Sequence, residues 1–200
     1  MPRHRFADTR QRIEEAATRL FVSRGIAETS VRDITREIGL SEGALYRHFE
    51  SKDDLVWQIF ERNYLAFARD LESLAARETG VRNKVAAMIC GFCEAHDQDP
   101  TLFNFLVFVQ HGQLSKLDAD APTPVTVMRG VLERAIAQGE LPNQDPDLAT
   151  ALVLGAVLQP ATFAAYGRLP TKLQPVSDRL VAAAWAVVNA LPPPEEPRHA

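Results

Sequence analysis

Apolar residues recur along most of the chain at the three- and four-residue spacing of amphipathic helices, and no stretch alternates in the manner of a strand. The first apolar stripe consists of Ile13, Ala16, Ala17, Leu20 and Phe21. Gly25 ends this helix, and Asp8 with Gln11 forms a capping pair that predicts its start. Helical patterns of the same kind continue to residue 191. The pattern therefore predicts an all-α chain of about nine helices.

Residues 29–52 predict two short helices joined by a tight turn. Ser30, with Asp33 three residues later, predicts the cap of the first helix, and Gly39 supplies a left-handed turn residue after it. Ser41 predicts the cap of a second helix, in which Leu45 and Phe49 point inward. This arrangement indicates a helix-turn-helix whose second helix presents its polar side to DNA. The alternative is that these polar residues form only the solvated side of a small helical domain.

A long helix is predicted to begin at the Ser51 cap, with Asp54 at its third position, and to run to Gly80. It starts beside the helix-turn-helix and ends far from it along the chain. We therefore expect three parts: a DNA-binding domain at 1–50, a helical effector-binding and dimerisation domain at 51–191, and a Pro-rich disordered tail at 192–200.

The run from Gly25 to Leu55 resembles the DNA-binding domain of the TetR family of transcriptional regulators. The positions that carry the resemblance are Ile34, Gly39, Leu40, Ser41, Gly43, Leu45, Tyr46, His48, Phe49 and Lys52. Two departures change the packing bulk alone: Thr35 replaces the usual Ala, and Ile38-Gly39-Leu40 replaces Ala-Gly-Val.

The resemblance implies which residues meet DNA. The positions that match phosphate contacts are Ser30, Tyr46, His48 and Lys52. The positions that match base-edge contacts are Arg32, Ser41, Glu42, Gly43, Ala44 and Arg47. Their chemistry agrees, since hydroxyls and an ammonium position a protein on phosphates whereas an arginine can read guanine. For Tyr46 an alternative is a ring packed under the domain with only its hydroxyl exposed.

The net charge of −4 is unusual for a DNA-binding protein, but it is unevenly distributed. The first 60 residues carry ten Lys or Arg and ten Asp or Glu, so the whole deficit falls in the rest of the chain. No apolar signal segment follows Met1, and two cysteines fit a reducing compartment, so we expect a cytoplasmic protein. No catalytic constellation or phosphate-binding glycine loop occurs, which argues against an enzyme, and no cofactor is expected.

Two late segments, at about 147–167 and 176–191, are too apolar for one-sided surface helices. A membrane span is disfavoured, because Thr150, Gly155, Gln159 and Pro160 dilute the first segment and no basic flank orients it. Burial in a homodimer explains both segments, and the resemblance implies the same use for the last two long helices of the family.

The middle helices are rich in aromatic and thioether side chains, which individually fit an ordinary core. Members of the family enclose an apolar effector there, so the resemblance implies a small-molecule pocket. The candidate lining residues are Phe60, Tyr64, Phe67, Met88, Phe92, Phe103, Phe108, Gln110, His111, Met128 and Gln159.

Cys90, Cys93 and His96 support a different hypothesis, a thiol- or metal-sensing helical protein. His111 could approach from the next helix. The competing interpretation is that both cysteines are small core residues, since they lie inside a helical run rather than at a strand-to-helix junction. The favoured hypothesis remains a dimeric DNA-binding regulator, most simply a repressor that an effector releases from a pseudo-palindromic operator.

Overall fold

The computed structural model describes residues 2–118 and 120–190, with side chains from Asp8 onward. Within these ranges the chain forms nine α-helices and no strand, which confirms the all-α prediction. The helices are α1 (Pro2–Arg24), α2 (Val31–Glu37), α3 (Glu42–Leu45), α4 (Lys52–Ala76), α5 (Val81–Gln98), α6 (Pro100–Gln113), α7 (Pro124–Ala137), α8 (Pro146–Ala165) and α9 (Ser177–Ala190). Single 3₁₀ turns lie at Leu114–Lys116 and Gln174–Val176. The predicted tail at 192–200 lies outside the described residues.

Two helix boundaries differ from the prediction. Helix α1 begins at Pro2 rather than at Asp8, because proline is tolerated in a first turn, where no N–H is needed. Helix α4 ends at Ala76 rather than near Gly80. After Ala76, the N–H groups of Arg77 and Glu78 bond three residues back, so the helix tightens and stops.

The helices group into two compact units. The first unit runs up to Asn63 and also takes in the stretch that begins at Thr101. The second takes in Tyr64–Pro100 and the chain from Asp120 onward. Helix α4 therefore begins in the first unit and continues in the second. The functional boundary near residue 50 remains a prediction, since the units describe packing alone.

The apolar stripe of α1 forms the back wall of the first unit. Its predicted members are all buried, as are Ile34 of α2 and Leu45 of α3. Helix α6 contributes Phe105, whose ring lies 6.1 Å from that of Phe21 at an interplanar angle of 23°. Helix α1 thus packs against α2, and α2 packs against α3.

In the second unit α8 packs against α7 and α9, and α5 packs against α7, α8 and α9. Phe67 of α4 and Phe92 of α5 meet edge to face, with ring centroids 4.8 Å apart. Gly91 of α5 allows α4 and α5 to approach closely, because a Cβ atom added at this position would lie 2.6 Å from Cδ1 of Leu74 on α4. This packing explains the glycine in the Cys90-Gly91-Phe92-Cys93 sequence.

Helix α8 leaves an apolar stripe exposed in the single chain. Leu148 is 50% exposed, Leu152 38% and Phe163 44%. By length and composition, α8 is the one helix among the described residues that could cross a membrane, and 39% of its most apolar window is buried within the chain. Core helices of soluble proteins meet the same criterion.

Candidate nucleic-acid interface

The local sequence determines where α2 begins. The Ser30 hydroxyl accepts a hydrogen bond from the backbone N–H of Asp33 at 3.1 Å, and the Asp33 carboxylate accepts one from the N–H of Ser30 at 3.0 Å. This is the predicted capping box. Hydrogen bonds from the Ser30 hydroxyl and N–H lower the pKa of Asp33 below its ordinary value. Ser30 is therefore exposed but already engaged in holding the helix start.

The turn between the two short helices needs a glycine. Gly39 has a φ of +69°, in the left-handed region, and the next N–H, that of Leu40, bonds to the carbonyl of Thr35 at 2.8 Å. Ser41 then caps α3 by accepting a hydrogen bond from the N–H of Ala44 at 3.3 Å. Cap, turn and cap follow one another as the sequence predicts.

The regular part of α3 is shorter than predicted, because it ends at Leu45. The chain continues as hydrogen-bonded turns, in which the N–H groups of His48 and Phe49 both bond to the Leu45 carbonyl. The N–H of Glu50 bonds instead to the Asp54 carboxylate at 2.8 Å. This N–H therefore bonds to the first turn of α4 rather than to a carbonyl of the preceding turns.

Despite this short helix, the predicted faces are confirmed. Leu45 and Phe49 are buried, whereas Glu42, Gly43 and Arg47 are exposed. The other predicted contact residues lie in the same unit. Ser30, Arg32, Ser41 and Tyr46 are exposed, and Ala44, His48 and Lys52 are half-buried.

The surroundings of Tyr46 and Lys52 bear on the roles predicted for these two side chains. Tyr46 is 52% exposed, so its ring is not packed under the domain. Lys52 donates to the carbonyl oxygens of Ile26 and Thr29, at 2.7 and 2.9 Å. Its ammonium therefore ties the start of α4 to the loop before α2, and at most one of its three donors remains for a phosphate.

Contacts from α1 fix the end of α2, and the sequence analysis did not identify them. Arg19 forms an ion pair with Glu37 at 2.9 Å, and Arg12 donates to the Ile38 carbonyl at 3.0 Å. Both arginines lie on the polar side of α1, opposite its apolar stripe. Helical spacing could have marked them as surface residues, but nothing in the sequence names their partners.

His48 lies between two arginines. Burial lowers the pKa of its imidazole, and the positive charges of Arg10 and Arg47 lower it further, whereas Glu14 opposes them. The ring is therefore neutral at pH 7 and can offer a phosphate a neutral N–H donor.

Comparison with known proteins agrees with this geometry. The profile of the family described as bacterial regulatory proteins, tetR family, matches residues 13–59, which span α2, α3 and the flanking parts of α1 and α4. Over these residues the chain therefore carries a tetR-family domain.

Curated relatives match part of the chain. An HTH-type transcriptional regulator of Staphylococcus aureus (strain bovine RF122 / ET3-1) is 37% identical over 67 residues, which is 34% of this chain and 36% of the relative. A second HTH-type regulator, from strain USA300, is 43% identical over 56 residues, 28% of this chain and 30% of the relative. The match thus spans about a third of the length of these curated relatives.

Solved structures extend the likeness in fold to nearly the whole chain. FadR from Bacillus subtilis, solved in complex with stearoyl-CoA, has a TM-score of 0.71 at 18% identity and covers 91% of this chain and 99% of its own. PfmR of the TetR family, from Thermus thermophilus, has a TM-score of 0.69 at 22% identity, with coverages of 92% and 98%. The tetR fold therefore extends to the helices that follow the reading domain.

The cysteine motif lies within α5. Burial raises the pKa of the Cys93 thiol to about 11, and burial also raises that of Cys90. The Nδ1 atom of buried His96 lies 2.9 Å from Oδ1 of Asp97. Across residues 2–118 and 120–190 no group of three His, Cys, Asp or Glu side chains is placed to hold a metal ion. These thiols are protonated at neutral pH, which weighs against thiol or metal sensing.

The candidate effector-pocket residues divide between the two units. Phe60, Phe103, Phe108, Gln110 and His111 lie in the first unit; Tyr64, Phe67, Met88, Phe92, Met128 and Gln159 lie in the second. The aromatic and thioether members are mostly buried, whereas Phe108, His111 and Gln159 are exposed. The pocket itself remains a prediction.

Two open clefts lie within the second unit. One, of about 320 Å³, lies between α4 and α5 and includes Phe67 from the predicted set. The other, of about 410 Å³, is bordered by Lys84 of α5 and Arg134 of α7. Their exposed, charged walls differ from the enclosed apolar site that the sequence predicts.

Proposed function

We propose that this tetR-family protein is a dimeric, sequence-specific DNA-binding transcriptional regulator rather than an enzyme, and that it works in the cytoplasm. One observation carries the proposal: the capped pair α2 and α3 presents Glu42, Gly43 and Arg47 outward over buried Leu45 and Phe49. A short helix anchored in this way can enter a major groove, which admits an α-helix.

The exposed side chains divide into two roles. Arg47 and Arg32 can each donate two hydrogen bonds to a guanine, and Gly43 and Ala44 let the backbone approach a base edge. Tyr46 and neutral His48 can donate to phosphates, which positions the protein without selecting sequence. For Ser30 this role is secondary, because its hydroxyl already donates to the Asp33 carboxylate. For Lys52 this role is secondary, because two of its donors bond to backbone carbonyls.

A homodimer through α8 and α9 is the second part of the proposal. The exposed residues Leu148, Leu152 and Phe163 follow one side of α8, and Ala182, Ala183 and Ala186 are exposed on α9. No charged residue occurs between Leu148 and Gly167. An apolar face of this size is typical of a protein interface, and a twofold axis would convert it into a four-helix contact.

The third part is repression relieved by a small apolar effector. A ligand that binds better to a conformation with the wrong spacing of reading helices would lower operator affinity by its difference in affinity between the two states. Helix α4 could transmit this change, since it belongs to both units. Long-chain acyl-CoA is a suitable first probe, because B. subtilis FadR, which shares the fold, is bound to stearoyl-CoA.

The test is selection of bound duplexes from a random DNA pool by the purified full chain. The matched control is a variant in which residues 41–48 are scrambled, with its helical content and oligomeric state measured in parallel. We expect a twofold-symmetric site that the scrambled variant does not select. A folded, dimeric wild-type protein that enriches no site would contradict the proposed function.

A further inference from the structure

A network of polar side chains joins α1 to α4 within the first unit. Its centre is Glu14, which is 7% exposed. The Glu14 carboxylate accepts hydrogen bonds from Nε of Arg10 at 3.0 Å and from Nη1 of Arg62 at 2.9 Å. A buried carboxylate with two guanidinium partners keeps its charge compensated. If Arg10 is removed, Arg62 still pairs with Glu14.

From this network Arg10 also reaches Phe49, which lies two residues after Arg47. Its guanidinium carbon lies 5.0 Å from the centroid of the Phe49 ring, within the range of a cation–π contact. Phe49 is 2% exposed and directly follows His48. The ring is thus held between the apolar core on one side and a fixed guanidinium on the other.

The same network reaches the backbone just after Phe49. Nη2 of Arg10 donates to the side-chain oxygen of Gln58, whose amide donates in turn to the Asp54 carboxylate at 2.8 Å. That carboxylate accepts the N–H of Glu50, also at 2.8 Å. Arg10 therefore holds two consecutive residues, Phe49 through its ring and Glu50 through Gln58 and Asp54.

We propose that Arg10 is a positioning residue for DNA recognition, which sets the orientation of residues 42–47 and so the angle at which Glu42 and Arg47 are presented. This inference rests on the proposed function. The regular part of α3 spans four residues, so its orientation depends on how its ends are held. Its start is held by the Ser41 cap and its end by Phe49 and Glu50.

Arginine suits this position better than lysine would. A guanidinium is planar, so it can stack on the Phe49 ring while its edge donates to Glu14 and Gln58 at the same time. A lysine ammonium would keep the charge but has neither the flat face that lies over Phe49 nor the edge that donates to Glu14 and Gln58 together. Arg10 is therefore distinct from a simple phosphate contact, in which a lysine could replace it.

Arg10→Met, Arg10→Lys and Gln58→Met test this proposal, with Arg24→Met as a matched control on the same helix. Binding to the selected site and to an unrelated duplex is measured by fluorescence anisotropy over a range of salt concentrations. Circular dichroism confirms that each variant is folded. Gln58→Met breaks the link from Arg10 through Asp54 to Glu50 without changing the net charge. This variant therefore still tests the proposal if Arg10→Met does not fold.

We expect Arg10→Met to weaken binding to the selected site about tenfold, comparable to one impaired base contact. Binding to the unrelated duplex and the salt dependence should stay unchanged. Gln58→Met should act in the same direction, and Arg10→Lys should not restore the loss.

Two results would overturn the proposal while leaving the proposed function intact. One is an equal loss on both duplexes with a shallower salt dependence, since that would make Arg10 a phosphate contact. The other is unchanged site affinity in folded Arg10→Met and Gln58→Met. If the wild-type protein itself shows no preference for a selected site, the proposed function fails and this inference fails with it.

Discussion

Two helical regions of this chain expose opposite kinds of surface. Around α2 and α3 the exposed side chains are polar or charged, and the apolar ones face inward. Along α8 the exposed side chains are mostly apolar, although the opposite side is buried just as well. Both regions are helical, and each buries one of its sides. We propose that this difference in exposed chemistry distinguishes a surface that meets charged DNA from one that meets a second protein chain.

The largest expected effect concerns the apolar side of this comparison. Leu152→Glu places a charge on the exposed stripe of α8, where a dimer would bury it unpaired. We expect the dimer dissociation constant to rise by about 100-fold or more, because an unpaired buried charge costs several kcal/mol. Sedimentation velocity over a range of protein concentrations measures it.

Val125→Glu is the control for that variant, since Val125 is 41% exposed but lies on α7. It should leave the dimer unchanged. If Leu152→Glu remains as tightly dimeric as the wild type, the interface assigned to α8 and α9 is wrong.

On the polar side, Arg47→Ala should reduce base preference. Loss of a bidentate contact to a guanine costs about 1–3 kcal/mol of discrimination, so preference at one position should fall by about 10- to 100-fold. Competition with single-base variants of the selected site measures the change. A uniform loss at every position, with no change in preference, would show that Arg47 contacts phosphate instead.

Lys52→Ala should act mainly on the fold of the reading domain. Its removal takes one donor from each of the carbonyls of Ile26 and Thr29, which we expect to lower the free energy of unfolding by about 1–3 kcal/mol. Urea unfolding measures this loss, and Lys172→Ala, at an exposed position, is the control. Unchanged stability together with a shallower salt dependence of DNA binding would contradict this prediction. It would support instead the phosphate contact that the family resemblance implies for Lys52.

The smallest effect is a pH dependence from His48. Folding lowers its pKa, so below the ordinary histidine pKa of about 6.5 the unfolded chain takes up a proton more readily than the folded chain. Its stabilising contribution is complete above that pH and declines as the pH falls. The free energy of unfolding at pH 7.5 and 5.5 should therefore differ less in His48→Gln than in the wild type. An equal difference in both proteins would contradict the assigned environment of His48.

Local patterns predicted most of the fold. Ser30, Gly39 and Ser41 act through neighbours within four residues, so their capping and turn roles could be recognised directly from sequence. The apolar stripe of α1 and the exposed position of Arg47 follow from helical spacing alone. The same holds for the two late helices, whose observed bounds differ from the predicted ones by at most two residues at either end.

The parts that the sequence analysis missed depend on partners distant along the chain. Lys52 donates to residues 23 and 26 positions away, and Arg10 contacts Gln58 across 48 positions. Helical spacing marks such side chains as polar but does not identify their acceptors. The early end of α3 is different, since the N–H of Glu50 bonds to the Asp54 side chain only four residues later.

The most direct test of the account is a hydroxyl-radical footprint of the full-length protein on the selected duplex. Two reading helices related by a twofold axis should protect two patches whose centres lie about 34 to 36 Å apart along the DNA, one helical turn. The Leu152→Glu variant should lose this paired protection at the same protein concentration. A single protected patch, or a pair that persists in a variant shown to be monomeric, would contradict a dimeric regulator that joins the reading helices through α8 and α9.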